Sequence, residues 1–405
     1  MKPIVQRIWM VMAMLFLSIS ASAYDFEVDG IAYNILSATS LNCEVACVID
    51  PTQTYVTIPE TVEYRNREFK VVQIGAGSFL NSQVEAISLP ESIITIESSA
   101  FEGSKINVIE LPKQLTNIKD RAFFNSNIKT LRLDFTSQCE IGRNAFSDCD
   151  SLRTVCVGEN VLLHKHNFNS DGDRMYGVFK RNANLLKVDI EGTVKVLPAY
   201  TFHDCHSLQS INILGTVDDL EGCAWTEALD TLNVAGHVNN LGTSPYGHND
   251  ATIPCRTLRI MGSVTNCNGP FTNSLTYADL NGEIGYLGGF IGCSMIEEVI
   301  MPNTITSIEG FKNCTSLKSV VLSESISSLE DRMFEGCISL RDLTIPPNVR
   351  IVKTGWPWSA TGDMGSGDLV VWELTSLTIS QNSENNLISF ASRGTDTGCR
   401  LRELL

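Results

Sequence analysis

Apolar residues in this chain recur as a short fixed phrase: one apolar position, a second three residues on, and a third two residues after that, with polar positions between. The first half carries it at Val84/Ile87/Leu89, Ile106/Ile109/Leu111, Ile128/Leu131/Leu133, Leu152/Val155/Val157, Leu185/Val188/Ile190, Leu208/Ile211/Ile213 and Leu229/Leu232/Val234. It continues at Cys255/Leu258/Ile260, Leu275/Ala278/Leu280, Ile296/Val299/Met301, Leu317/Val320/Leu322, Leu340/Leu343/Ile345 and Leu374/Leu377/Ile379, with Val56/Ile58 beginning a partial unit ahead of them. The alternation that ends each phrase predicts a short strand, its paired apolar side chains inward and the residue between them outward.

A second phrase follows the first, an apolar residue five positions before an aromatic: Ile74 to Phe79, Ile96 to Phe101, Ile118 to Phe123, Ile141 to Phe146, Leu197 to Phe202, Leu220 to Trp225 and Leu329 to Phe334. In two units the step shortens, Leu287 to Phe290 and Ile308 to Phe311, where we expect coil in place of a strand. Pro59, Pro90, Pro112, Pro302 and Pro346 close strands, since a residue without an N–H can end a ladder. Each unit thus predicts a strand, a turn, a second apolar stretch, an aromatic-bearing short helical turn and a return. Most units lie 20–24 residues apart, the spacing of leucine-rich repeats. One such unit cannot bury its apolar face alone, so neighbours must stack into a solenoid. The expected fold is mainly β with short helical turns, a leucine-rich-repeat solenoid with a parallel β-sheet on one face. At about 4.8 Å per strand, some thirteen or fourteen strands give a sheet roughly 60 Å long.

The segments "LPESIITIESSAF", "LPKQLTNIKDRAF" and "LEDRMFEGCISL" resemble the BspA-like, Treponema-type leucine-rich repeats of bacterial surface and secreted proteins. "YDFEVDGIAYNIL" with "IPETVEYRNREFKVVQIGAGSF" is similar to the N-terminal cap of such proteins in Bacteroidetes. The resemblance implies adhesion or partner binding and no shared catalytic residues. We divide the chain into a signal peptide at 1–23, a cap at 24–57, a solenoid of about 12–13 repeats at 58–345, a C-terminal cap with a last repeat at 346–380 and a loosely ordered tail at 381–405. Residues 158–180 and 235–256 depart from the repeat.

Lys2 and Arg7, an apolar run from Ile8 to Leu17, and Ala21-x-Ala23 read as a secretory signal cleaved after Ala23. No later apolar stretch is long enough to span a bilayer, so the expected location is exported: secreted, periplasmic or cell surface. The formal net charge of −16 opposes nucleic-acid binding, which needs a positive face. Of the 13 cysteines, Cys149, Cys205, Cys293, Cys314 and Cys337 follow the repeat aromatic by three residues, in a slot held elsewhere by Ser82, Ser104 and Ser126. That interchange predicts a small buried packing site. Cys43 and Cys47 are the expected bridged pair, provided that a turn brings them together.

His164 and His166 near Asp171 and Asp173 match no helical His pair or calcium loop and read as a solvated insertion. His203 and His206 flank an inward Cys205, a packing arrangement. Asn313-Cys314-Thr315 fits a glycosylation triplet built on a core slot. "GYLGGFIGC" is a shortened turn, and no zincin, nucleophile-elbow or Walker motif occurs. We therefore expect no enzyme, no cofactor and no metal. The outward strand residues remain, and among them Arg259, Tyr277, Asp279 and Glu298 form the richest cluster for binding a protein partner. The alternative is a carbohydrate-binding accessory that uses Trp356, Trp358 and Trp372 or the 158–180 loop.

Overall fold

The computed structural model describes residues 24–165, 176–221, 229–243, 253–267, 273–330, 333–346, 349–352 and 376–379. The chain coils as a solenoid in which the two phrases of each unit build two separate stacks of parallel strands. In the first stack Thr130–Leu133 pairs with Thr154–Val157, and the ladder continues through Lys187–Ile190, Ser210–Ile213, Thr231–Val234 and Thr257–Ile260 to Tyr277–Asp279. Its inward pairs, such as Leu131/Leu133 and Ile211/Ile213, are buried as the alternation demands. The second stack is made by the apolar stretch before each aromatic, for example Thr216–Glu221 against Thr193–Leu197 and His237–Thr243.

Ahead of the coil, Phe26–Val28, Ile31–Ser37 and Asn42–Val48 form an antiparallel meander, and the last of these turns parallel to Arg67–Ile74. Phe26 stacks on Tyr33 and Tyr64, sealing the first core layer with aromatic surface. Cys43 and Cys47 lie on the single strand Asn42–Val48, and both thiols are free. An extended strand holds such a pair too far apart to bridge, which overturns the expected disulfide.

The expected short helical turn is a run of turns instead, and no helix occurs among the described residues. The hydrogen bonds explain why. Around Phe79, the amides of Ser78, Leu80 and Ser82 donate three residues back, to Gly75, Gly77 and Phe79. The intervening amides of Gly77, Phe79 and Asn81 donate to the next unit, at Ser98, Ala100 and Glu102. A helix would use every amide internally; here every second one cross-links the stack. Left-handed residues follow at two positions per turn, Gly77 and Asn81, Ser99 and Gly103, Arg121 and Asn125, Asn144 and Asp148. Gly, Asn and Asp dominate the second of these positions because they tolerate positive φ most readily.

Each turn drops its aromatic onto the one before. Ring centroids lie 4.9, 4.8 and 5.0 Å apart along Phe79, Phe101, Phe123 and Phe146, and 5.5 and 5.4 Å apart along Phe290, Phe311 and Phe334. Three residues on, the cysteine slot is fully buried, as its interchange with serine predicts. Cys149, Cys205, Cys314 and Cys337 donate their thiols to the backbone carbonyls of Phe123, Phe179, Phe290 and Phe311 in the preceding unit. Burial pushes the Cys205 and Cys293 thiols up to about 12, so they stay protonated and inert. In the two shortened units the second strand is retained, at Glu283–Leu287 and Ser307–Ile308, and it is the turn that contracts; Gly289 takes φ +100 there.

The first sheet is not continuous. It divides into hydrogen-bonded groups of three, seven and four strands. At the corner after the strands of the seven-stranded group, the amides of Leu214 and Gly215 both donate to the Ile190 carbonyl of the preceding unit, those of Ala235 and Gly236 to Ile213, and those of Met261 and Gly262 to Val234. Pro302 stands where Leu214, Ala235 and Met261 donate and has no N–H to give. The seven-stranded group ends in the unit immediately before Pro302.

Candidate binding surfaces

Outward side chains of the first sheet stand in two parallel rows set by the register. One row runs Thr130, Thr154, Lys187, Ser210, Thr231, Thr257, Tyr277 and the other Arg132, Cys156, Asp189, Asn212, Asn233, Arg259, Asp279. The register therefore puts Arg259 beside Asp279 on neighbouring strands, with Tyr277, 52% exposed, two residues before Asp279. Asp279 also accepts a hydrogen bond from Asn281 Nδ2 at 2.6 Å. Glu298 lies in the next unit, exposed on Glu298–Ile300, which opens the four-stranded group and is not hydrogen-bonded to Tyr277–Asp279. Three of the four expected residues thus share one ladder, and the fourth sits across its edge.

The two ends of these rows differ in how their charges are used. Arg132 Nη1 reaches Glu191 and the Cys156 thiol, each at 2.9 Å, and Lys187 pairs with Asp189 at 2.8 Å. The Arg132 hydrogen bond holds the Glu191 carboxyl below the usual carboxylate range. Burial, reinforced by the bond to Glu191, pushes the Cys156 thiol up to about 11, so this outward cysteine is no thiolate nucleophile. Among the described residues, the side chains of Arg259, Tyr277 and Glu298 make no hydrogen bond or ion pair. Beside them Ile300 is 58% exposed.

Other motifs come apart in the structure. His203 is half-buried against Asp204 at 2.8 Å, and burial lowers its pKa; Cys205 points to the core and His206 to solvent, so the three do not converge. Among the described residues no group of three His, Cys, Asp or Glu side chains could hold a metal, and no helix is long and apolar enough to cross a membrane. His164 is half-buried at the foot of the 158–180 insertion, and the adjacent Lys165 pairs at 2.5 Å with the buried Glu221. His166, Asp171, Asp173, the segment 1–23, the tail 381–405, and Trp225, Trp356, Trp358 and Trp372 lie outside the described residues.

One surface escaped the sequence reading. Where the seven-stranded group turns toward the second stack, Gly192, Gly215, Gly236, Gly262 and Gly282 fall in a column, the first four following a strand by two residues and Gly282 by three. An added Cβ at Gly236 would lie 2.0 Å from the Gly215 carbonyl oxygen, and one at Gly262 2.0 Å from that of Gly236. With side chains thus excluded from the column, a groove of about 640 Å³ opens along it. The signal was legible as "ILGT", "VAGH", "IMGS" and "LNGE" at unit spacing.

The repeats of the BspA type leucine rich repeat region match this chain in six copies, over residues 72–171, 175–251 and 271–356. A solved leucine-rich repeat protein from Bacteroides ovatus is 22% identical, with 82% of this chain and 91% of that one covered at a TM-score of 0.38. A leucine rich cell surface protein from Faecalibacterium prausnitzii is 16% identical, covering 84% and 97% at 0.23, and the pneumococcal vaccine antigen PcpA is 14% identical, covering 88% and 98% at 0.35. Similarity at this level carries no statement about function. No curated protein matches.

Proposed function

The chain belongs to the BspA-type leucine-rich repeat family, and on that premise we propose that it is an exported, non-enzymatic binding protein that recognises a protein partner through the outward face of its first sheet. The observation that supports this reading is the contrast along the strand rows. Toward Arg132 and Lys187 the charges neutralise one another within the sheet. At Arg259, Tyr277 and Glu298 a cation, an aromatic and an anion stand exposed with their side-chain bonding unspent among the described residues. Aromatic and Arg side chains with large exposed surfaces are the groups that dominate binding energy when a partner desolvates them. Export rests on the charged and apolar pattern of residues 1–23.

The test is capture of extracellular-matrix proteins by the purified chain, with Tyr277→Ala/Arg259→Glu as the variant. Capture should fall at least about tenfold, as for loss of two hot-spot groups, while the melting temperature stays unchanged because neither side chain enters the core. Undiminished capture by the double variant removes this face. A glycan array probed in parallel with Trp356→Ala/Trp358→Ala decides the sugar reading: loss of glycan signal from a variant that stays folded would favour it.

A further inference from the structure

The glycine-floored groove crosses the corner between the two stacks over successive units, from Leu214 to Thr304. At a strand spacing of about 4.8 Å it is roughly 20 Å long, and it runs along the solenoid axis. One wall is apolar at three levels: Leu214, Met261 and Pro302, with Leu214 48% and Met261 54% exposed. The other wall is Thr216, His237, Ser263, Glu283 and Thr304, the register stacking Thr216, His237, Ser263 and Glu283 in one column. His237 Nδ1 and Ser263 Oγ are 2.7 Å apart.

The composition of the walls decides what can lie there. No Lys or Arg lines the groove, and its one carboxylate is Glu283, which disfavours phosphate, sulfate and uronate groups. The floor offers no free backbone ladder: the amides of Gly215, Gly236, Gly262 and Gly282 donate to the preceding units, and the carbonyls of Gly215, Gly236 and Gly262 accept from His237, Ser263 and Glu283. An extended peptide therefore cannot add itself as a strand. The same commitment leaves the Ser263–His237 pair without glycine amides to stabilise an oxyanion, so the pair can position a ligand and is not equipped for acyl transfer. What remains are hydroxyl, imidazole and carboxylate groups and the Asn281 carboxamide, facing exposed aliphatic surface and stacked over successive units. Their complement is a ligand with hydroxyls on one edge, aliphatic C–H on the other, no charge and a repeat of its own.

We propose that this groove binds an unbranched neutral oligosaccharide laid along the solenoid axis, its hydroxyls on Thr216, His237, Ser263 and Glu283 and its C–H faces on Leu214 and Met261. The site is separate from the strand-face patch, although the Asn281 to Asp279 hydrogen bond makes the two surfaces contiguous.

The experiment follows the methyl resonance of Met261, labelled with 13C and assigned by Met261→Leu, as neutral linear hexasaccharides of glucose, xylose and mannose are added to the full chain. A polyuronate hexasaccharide and an uncharged Ser/Thr-rich dodecapeptide serve as contrasts. The expected result is a saturable shift with at least one neutral hexasaccharide, weakened about tenfold in His237→Ala/Ser263→Ala with an unchanged melting temperature. Should that variant misfold, Met261→Asp is titrated by calorimetry and should lose the same binding. The Tyr277→Ala/Arg259→Glu variant should keep it, which separates this site from the protein-binding face. The proposal is overturned if none of the neutral hexasaccharides moves the Met261 methyl, if only the polyuronate or the peptide does, or if the groove variants bind as well as the parent.

Discussion

Units that turn their first corner on proline and units that turn it on glycine spend the same number of residues and obtain different surfaces. From Leu89 to Ile96 the chain makes a proline turn, with the Ile93 amide bonded back to the Pro90 carbonyl, and only Thr95–Ile96 is left for the second stack. From Ile213 to Leu220 the chain passes through Gly215 straight into the strand Thr216–Glu221. The proline corner covers itself and gives up ladder bonds. The glycine corner keeps two amides on one carbonyl, lengthens the second sheet and leaves a groove where side chains would have stood. Pro90, Pro112 and Pro302 belong to units outside the seven-stranded group, while Gly192, Gly215, Gly236, Gly262 and Gly282 all follow strands within it.

Four measurements break or sharpen that contrast. The aromatic spine is common to both unit types and sets the upper bound: Phe123→Ala, which removes a ring held between two others at 4.8 and 5.0 Å, should cost about 3–5 kcal/mol by denaturant titration. Gly236→Ala should cost about 1–3 kcal/mol, because the clash is with backbone and cannot be relieved by a rotamer; a neutral outcome would mean that the glycine column is not imposed by stacking. Exchanging the corners should be asymmetric. Leu214→Pro deletes the bond to Ile190 and should destabilise by more than about 1 kcal/mol, whereas Pro90→Ala should lose only the roughly 0.4–1 kcal/mol by which proline restricts the unfolded chain. The smallest effect is electrostatic. Arg121 donates twice to Glu102 and holds its carboxyl below the usual range, so this stabilisation is present above the ordinary carboxylate pKa and is lost as pH falls through the lowered folded value. Melting temperatures at pH 7 and pH 3 should show a slightly larger drop for the parent than for Glu102→Gln.

Much of this architecture was readable because each layer repeats the same demand. Ile118 five residues before Phe123, or Cys149 alternating with Ser126 in one slot, announces a stacked interior whatever the surface does. The turn was misjudged as helical because a short run around an aromatic has the length of a helical turn; the informative residues were Asn81, Gly103, Asn125 and Asp148, whose positive φ interrupts any helix. The strand-face patch was visible as Arg259, Tyr277 and Asp279 at matched positions, but whether a charge is spent locally, as at Arg132 with Glu191, depends on units far apart in the chain. The groove was missed for a different reason. It is made by what glycine lacks, and a search for chemical groups passes over a column of hydrogen atoms.

The three-part division of the first sheet has a mechanical consequence. The gaps beyond Val108–Ile109 and beyond Tyr277–Asp279 are both bridged elsewhere: Asn117–Ile118 pairs with Cys139–Ile141 across the first and Glu283–Leu287 with Ser307–Ile308 across the second. Turn amides cross-link each, so shear there is carried by one strand stack in place of two. Within the first sheet, amide exchange should therefore be quicker at the strands that flank each gap than inside the seven-stranded group. The solenoid can thus flex at two fixed places while its second stack and its turns stay bonded.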